Sequence, residues 1–189
     1  MKATNEINVW DLPLRVFHWL LAAGFLIAYV TEDELLSVHV GAGYLIVGLL
    51  LFRLIWGFFG SRYARFSNFV CTPRQSIRYI KALLTLKGKR HIGHNPAGAA
   101  MIVLLLISLT AACITGFAVY GAEQAAGPFA AIGSRYEKLW EEMHEFFANF
   151  TLILVALHVL GVLTESYIHK ENLIKAMWNG RKKTDSDFT

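Results

Sequence analysis

Residues 97–120 read AGAAMIVLLLISLTAACITGFAVY and contain no charged side chain. Three further apolar stretches, at 14–31, 38–59 and 146–165, each contain at most one charged residue. An α-helix needs about 20 residues to cross the hydrocarbon core of a bilayer. The sequence therefore predicts an all-α protein, an integral membrane four-helix bundle.

The composition agrees with this class. Hydrophobic residues make up 55% and charged residues 17% of the 189 positions, whereas soluble domains average about 45–50% and about 25%. These values exclude intrinsic disorder and argue against an ordinary soluble fold. The basic segments do not form a recognisable nucleic-acid-binding module. We therefore expect the lipid bilayer, and no nucleic acid, as a partner.

The positive charge is distributed unevenly along the chain. Of the 18 Lys and Arg residues, 16 lie on the predicted side of the membrane that holds both chain ends and segment 61–95. By the positive-inside rule this side is cytoplasmic. We expect a membrane protein with its four-helix membrane domain at 1–168, a basic cytoplasmic loop at 61–95 and a cytoplasmic tail at 169–189. Within these, 72–86 is predicted to be amphipathic and 182–189 to be disordered.

Four histidines lie in or at the ends of the predicted membrane helices, where an ionisable side chain is costly and indicates function. His144 and His158 are 14 residues apart, which places them on nearly the same helix face with an axial separation of about 21 Å. In the predicted topology His39 and His144 both lie near the outer surface of the membrane. His18 and His158 both lie near the inner surface. The four histidines therefore pair by depth, His39 with His144 and His18 with His158.

Paired imidazoles suit haem b, because its iron accepts two axial ligands and helix bundles build cofactor sites between facing helices. We expect two haem b groups, with these four histidines as iron ligands. One alternative is that the histidines only form hydrogen bonds to neighbouring helices. Zinc is a weaker alternative, since neither pair has the further ligands of a tetrahedral site. His91, His94 and His169 are expected to be solvated.

Other residues on the histidine faces fit a flat cofactor. Ala148, Thr151 and Val155 lie between the two histidines of the fourth helix and are small or β-branched, which leaves room for a macrocycle. Arg53 follows His39 by 14 residues and returns to the same face at the inner level. There it can bind a haem propionate, since guanidinium pairs with carboxylate in a bidentate manner. The alternative is that Arg53 extends to the lipid headgroups.

Several motifs follow one another along the chain: VWDLPLRVFHW at 9–19, HVG at 39–41, FRLIWG at 52–57, GHNPAG at 93–98, and the pair His144 and His158. Together they resemble the bacterial cytochrome b561 family, which includes the b-type cytochrome subunits of nickel–iron hydrogenases. The resemblance implies a four-helix dihaem membrane cytochrome. It places the family's haem ligands on the same four histidines, His18, His39, His144 and His158.

The resemblance also implies a role in a respiratory chain. Such a protein passes electrons between the quinone pool and a periplasmic redox partner, here a hydrogenase or a c-type cytochrome. Hydrogenase-type subunits tend to be longer, so the short segment 31–37 makes a c-type cytochrome an equal candidate. The outer segment 121–145 contains five glutamates and either docks a basic partner or is merely solvated. Arg15, Trp19, His94 and Asn95 are candidates for a quinol site.

Two other functions remain open from the sequence. The first is a free-standing superoxide:quinone oxidoreductase, and the second is a haem-free membrane sensor or scaffold. The acidic outer segments argue against superoxide, because an anionic substrate is repelled by negative charge. Whether the chain is an enzyme by itself is left open, with an electron-transfer subunit favoured.

Overall fold

A computed structural model describes residues 6–32, 35–85, 88–133 and 136–184. Within these residues the chain forms seven α-helices, one short 3-10 turn and one two-stranded sheet. The elements in chain order are β1 Glu6–Asn8, α1 Leu12–Val30, α2 Leu36–Phe59, the 3-10 turn Phe66–Asn68, α3 Pro73–Leu84, α4 Pro96–Gln124, α5 Ala130–Gly133, α6 Glu137–Ile168, α7 Leu173–Asn179 and β2 Arg181–Lys183.

Four of these helices, α1, α2, α4 and α6, are long and apolar enough to span a membrane. The predicted fold class, an integral membrane four-helix bundle, is confirmed. The last of the four begins at Glu137, whereas the apolar stretch begins at 146. The intervening residues are mostly Glu, Lys, Leu and Met, which are good helix formers, and Glu137 lies in the first turn, where a carboxylate is favourable.

The chain divides into two compact units. The unit that we call the terminal unit comprises the described parts of 1–19, 52–102 and 157–189. The other, which we call the hairpin unit, comprises the described parts of 20–51 and 103–156. Each of the four long helices contributes residues to both units.

The hairpin unit is built around a small apolar core of Phe25, Ile46 and Leu109. Val155 packs against this core. Thr151 is fully buried, and its hydroxyl lies 2.6 Å from that of Ser108. Close packing and interhelical hydrogen bonds of this kind hold membrane helices together, because lipid provides no hydrophobic driving force for their association.

In the terminal unit the two ends of the described chain pair with each other. Strands β1 and β2 are antiparallel, with Ile7 opposite Lys182. The backbone N–H groups of Val9 and Trp10 both donate to the carbonyl of Gly180, at 2.8 and 3.1 Å. The prediction of disorder was wrong for Lys182, which is buried with 6% exposure; residues 185–189 lie outside the described part.

Segment 61–95 contains the 3-10 turn and the amphipathic helix α3. Thr72 precedes this helix, and its N–H donates to Gln75 Oε1 at 2.8 Å, as in a capping box. Ser76 and Tyr79 are buried on one face of α3. The amphipathic segment predicted at 72–86 therefore corresponds to an ordered helix, because its buried face has partners within the terminal unit.

A close contact between α2 and the 3-10 turn predicts a glycine that is sensitive to substitution. A Cβ at Gly57 of α2 would overlap the ring of Phe66, and overpacking of this kind costs about 1–3 kcal/mol. We expect Gly57→Ala to lower the thermal unfolding midpoint of the detergent-solubilised protein by several degrees. Gly48→Ala on the same helix is the control, since a Cβ there meets no described atom within 4 Å. Equal midpoints for the two variants would contradict this packing.

Candidate functional site

The structure brings His39 of α2 and His144 of α6 together in the hairpin unit. Their ring centroids are 5.9 Å apart, and the ring planes are nearly perpendicular at 88°. His39 Nδ1 lies 2.9 Å from the carbonyl oxygen of Ala28, and His144 Nδ1 lies 2.9 Å from that of Ala112. A carbonyl can only accept, so both rings carry their proton on Nδ1. This tautomer leaves a lone pair on each Nε2, as a metal ligand requires.

Both carbonyls are available for a structural reason. Ala28 lies in the last four residues of α1, whose carbonyls have no partner within the helix. Ala112 lies in the middle of α4, but Gly116 follows it by one turn. A Cβ at Gly116 would lie 2.8 Å from His144 Cε1. The missing side chain therefore lets the ring of His144 approach the α4 backbone.

A cavity adjoins this pair and is lined by small and aromatic residues, by the aliphatic residues Val40, Ile46 and Leu109, and by Cys113 and Glu32. Ala148, predicted to face the cofactor, does line it. Thr151 and Val155, named in the same prediction, are not among the residues that line this cavity, since Thr151 is bonded to Ser108 and Val155 packs on the apolar core. The small residues that line the cavity are Ala28, Gly43, Ala112, Gly116 and Ala148. The aromatic residues that line it are Phe25, Tyr29, Phe117 and Tyr120.

The second predicted pair, His18 of α1 and His158 of α6, meets in the terminal unit. The ring centroids are 6.3 Å apart, and the ring planes are inclined at 54°. Trp19 packs edge-on against His18 at 5.0 Å. The Nδ1 atom of His18 is enclosed and has no hydrogen-bond partner among the described residues. The environment of this pair thus differs from that of the hairpin unit, where each Nδ1 is bonded.

Arg53 of α2 also lies in the terminal unit and is 2% exposed. Its guanidinium carbon is 4.6 Å from the ring centroid of Phe66 and 5.8 Å from that of Phe69. Within the described residues its Nη1 has no hydrogen-bond partner. Arg53 therefore does not extend to the lipid headgroups, which was one of its two predicted roles. An anion that accepts a hydrogen bond from this donor would stabilise the buried cation.

His94 packs between aromatic rings in the same unit. Its ring centroid is 4.5 Å from that of Trp10 and 4.6 Å from that of Phe69. Burial, with Arg53 nearby, lowers the pKa of His94 to about 3, so the ring is neutral at physiological pH. The prediction that His94 is solvated was wrong, whereas His169 is partly exposed, with 14% of its side chain accessible.

The other residues considered for a quinol site have different partners. Arg15 donates to the backbone carbonyl of Trp178, and Trp19 packs against the Trp178 ring at 5.8 Å. Asn95 accepts a hydrogen bond from the N–H of Gly98 at 2.7 Å, as the N-cap of α4. Its role in the structure is thus to begin that helix.

Sequence reasoning did not find the residues that support the histidines. The two carbonyl acceptors, at Ala28 and Ala112, come from helices other than those of the rings that they bind. A backbone acceptor has no signature in the sequence. Gly116 did leave a signal, because a glycine inside an apolar helix often marks a close approach.

Comparisons with known proteins identify the family. A family profile described as prokaryotic cytochrome b561 matches residues 9–180. The chain belongs to the prokaryotic cytochrome b561 family. The resemblance predicted from the sequence motifs is confirmed.

The relatives of this cytochrome have names that refer to one enzyme. It is 28% identical to the "Probable Ni/Fe-hydrogenase 1 B-type cytochrome subunit" of Escherichia coli (strain K12), over 95% of this chain and 92% of the relative. The chain is 24% identical to the "Probable Ni/Fe-hydrogenase B-type cytochrome subunit" of Rhizobium leguminosarum bv. viciae, over 94% of this chain and 89% of that protein. The protein of that name from Azotobacter chroococcum mcd 1 is also 24% identical, over 99% and 92%. No solved structure matches the chain.

Family membership makes this cytochrome a membrane electron carrier with haem b as its cofactor. The two histidine pairs fit that group. The ring centroids of the two pairs are 5.9 and 6.3 Å apart, so each pair presents two imidazoles that could together bind the haem iron. Among the described residues no group of three or more His, Cys, Asp or Glu side chains is placed to hold a metal ion.

The close contact between Gly116 and His144 leads to a prediction. In Gly116→Ala the new methyl group displaces the His144 ring and breaks its hydrogen bond to Ala112, so the purified protein should retain less haem per chain. Haem content is measured by pyridine haemochrome. Gly161→Ala, on the helix of His144, is the control because a Cβ there meets no described atom within 4 Å. Unchanged haem content in Gly116→Ala would show that the ring orientation does not matter.

Proposed function

We propose that this protein is a dihaem b-type cytochrome that transfers electrons between the quinone pool and a redox partner on the periplasmic side of the bacterial inner membrane. The observation that carries this proposal is the presence of one facing histidine pair in each of the two units. His39 and His144 would hold one haem, and His18 and His158 the other.

In the hairpin unit the protein would orient both ligands before the cofactor binds. The carbonyls of Ala28 and Ala112 hold the rings in the tautomer that presents Nε2. A hydrogen bond to the distal ring nitrogen also increases the basicity of the ligand. Bound haem supplies one-electron redox chemistry. The apolar wall of the cavity would exclude water from it, and such burial tunes the reduction potential.

In the terminal unit Arg53 supports binding of a carboxylate. Its guanidinium is held over two phenylalanine rings, with Nη1 unbonded among the described residues. A haem b carries two propionate groups, and a guanidinium binds a carboxylate with geometric specificity. We therefore assign Arg53 to a propionate of the haem held by His18 and His158.

The charge distribution supports the orientation of the protein in the membrane. Sixteen of the 18 Lys and Arg residues fall in the sequence ranges of the terminal unit. The positive-inside rule then assigns this unit, with both chain ends, to the cytoplasmic side. The exposed glutamates of segment 121–145 belong to the hairpin unit and would face the periplasm.

The names of the relatives favour a nickel–iron hydrogenase as the periplasmic partner. The chain is nevertheless shorter than these proteins. About 178 of its residues take part in an alignment of 221 positions with the Rhizobium protein, which leaves roughly 43 positions without a counterpart. This difference keeps a c-type cytochrome as the second candidate for the partner.

Single histidine substitutions test the two-site assignment. His39→Ala and His144→Ala should each remove the same haem, and His18→Ala and His158→Ala the other, because each iron loses one axial ligand. Every variant should retain about one haem per chain. The measurement is a dithionite-reduced minus oxidised spectrum with a haemochrome count. His91→Ala is the control, since His91 is in neither pair. Two haems in any of the four variants would refute the pairing.

The direction of electron input is tested with the purified cytochrome under anaerobic conditions. A short-chain quinol should reduce the haem directly, as followed by its absorbance. Hydrogen should reduce the haem only when a purified nickel–iron hydrogenase is added. Superoxide generated in place of either donor should have little effect, because the exposed acidic residues repel it. Rapid reduction by superoxide would instead favour the free-standing oxidoreductase, and a protein without haem would refute both functions.

A further inference from the structure

Two buried carboxylates near the end of α6 have different kinds of partner. Glu171 is paired with two cations: Arg90 Nη2 lies 3.0 Å and Lys182 Nζ 3.6 Å from its oxygens. This arrangement is typical of a structural ion pair, because buried charge requires compensation. Glu165 instead accepts a hydrogen bond from the phenol of Tyr79, with Oη at 2.9 Å, and its Oε2 lies 3.2 Å from His169 Nε2 without hydrogen-bond geometry. Both of its partners are able to carry a proton.

The hydroxyl of Tyr79 is placed to follow the protonation state of Glu165. Tyr79 Oη lies 2.9 Å from Glu165 Oε1 and also 2.9 Å from the carbonyl oxygen of Lys89. One phenolic proton can serve only one acceptor fully. When Glu165 is ionised, Tyr79 donates to it; when Glu165 is protonated, it donates to Tyr79, which donates to Lys89. Every group therefore keeps a hydrogen bond in both states.

His169 connects Glu165 with the aqueous phase. It directly follows α6, which ends at Ile168, and its side chain is 14% exposed. Glu165 itself is 8% exposed. An imidazole has two ring nitrogens, so it can accept a proton from water on one and release a proton from the other.

The same helix links this cluster to the candidate haem site. Glu165 follows His158 by seven residues in α6, which corresponds to two turns, the same face and a rise of about 10.5 Å. Buried charges at this separation are only weakly screened by salt. A change of charge at the His18–His158 site therefore changes the electrostatic potential at Glu165.

We propose that Glu165 is the proton acceptor coupled to electron transfer at the His18–His158 site. When that site gains one electron, one proton from solvent passes through His169 to Glu165 Oε2 and converts the carboxylate into a neutral carboxylic acid, which rotates to turn its O–H toward Tyr79. The added negative and positive charges cancel, and oxidation reverses both transfers. This inference rests on the proposed function, because it requires haem at His18 and His158.

The surrounding charged groups are compatible with this role. The pKa of Tyr79 is raised by burial and by the adjacent Glu165, so the phenol keeps its proton and acts as a donor. Burial lowers the pKa of Lys182, but Glu171 opposes that shift. Arg90 is also bound to Glu171. His91 lies over the Tyr79 ring at 5.3 Å, with its Nδ1 2.8 Å from the Lys89 carbonyl. Both nearby cations pair with Glu171, and Lys182 also interacts with the charge of Glu165.

The test is a redox titration of the full-length haem-loaded protein over a series of pH values. In the wild type the midpoint potential of the haem that His18→Ala removes should fall as pH rises, because reduction takes up a proton. In Glu165→Gln this dependence should disappear. Glu171→Gln is the matched control from the same cluster; it should lower thermal stability but retain the pH dependence.

Two results would overturn the proposal: a pH-independent midpoint in the wild type, or the same dependence in Glu165→Gln as in the wild type. If Glu165→Gln does not assemble, the wild type is examined by redox-difference infrared spectroscopy. A carboxylic acid C=O band should then appear on reduction, shift in heavy water and persist in Glu171→Gln; its absence overturns the proposal. Retention of both haems in His18→Ala would instead refute the proposed function.

Discussion

The orientation of a metal-binding imidazole is constrained most strongly where its other ring nitrogen donates a hydrogen bond. In the hairpin unit this constraint is met by backbone carbonyls, with the rings of α2 and α6 bonded to Ala28 of α1 and Ala112 of α4. Each bond joins a pair of helices and at the same time sets the ring tautomer. The exposed carbonyl end of α1, the glycine in α4 and the adjoining cavity can be understood as consequences of this constraint.

The terminal unit has a different electrostatic character. His18 Nδ1 has no partner among the described residues, and the surroundings contain Arg53, the neutral His94 and, further along α6, the carboxylate of Glu165. Hydrogen bonding, burial and nearby charge all influence the potential of a bound haem. The same pair of ligand types therefore sits in two environments, one formed by apolar walls and backbone carbonyls and the other by buried ionisable side chains.

The fold class and the pairing of the histidines followed from the sequence because both depend on long-range regularities. Four apolar stretches predict four helices, and 14 residues of helix return a side chain to nearly the same face. Tertiary partners were not predictable in this way. Thr151 shares the histidine face but is bonded to Ser108, and Lys182 belongs to a charged tail but is buried in a strand beside Glu171. In each case the outcome depends on a residue distant in sequence, which one-dimensional patterns do not identify.

The pairing of β1 with β2 has a consequence for biosynthesis. All residues of the hairpin unit precede position 157, whereas the terminal unit combines residues from the start, the middle and the end of the chain. Because synthesis proceeds from the N-terminus, the segment from Glu6 to Trp10 cannot form its backbone hydrogen bonds until Gly180 and β2 have left the ribosome. Closure of the terminal unit is therefore a late step, and a ribosome that stops early releases a chain whose first strand has no partner.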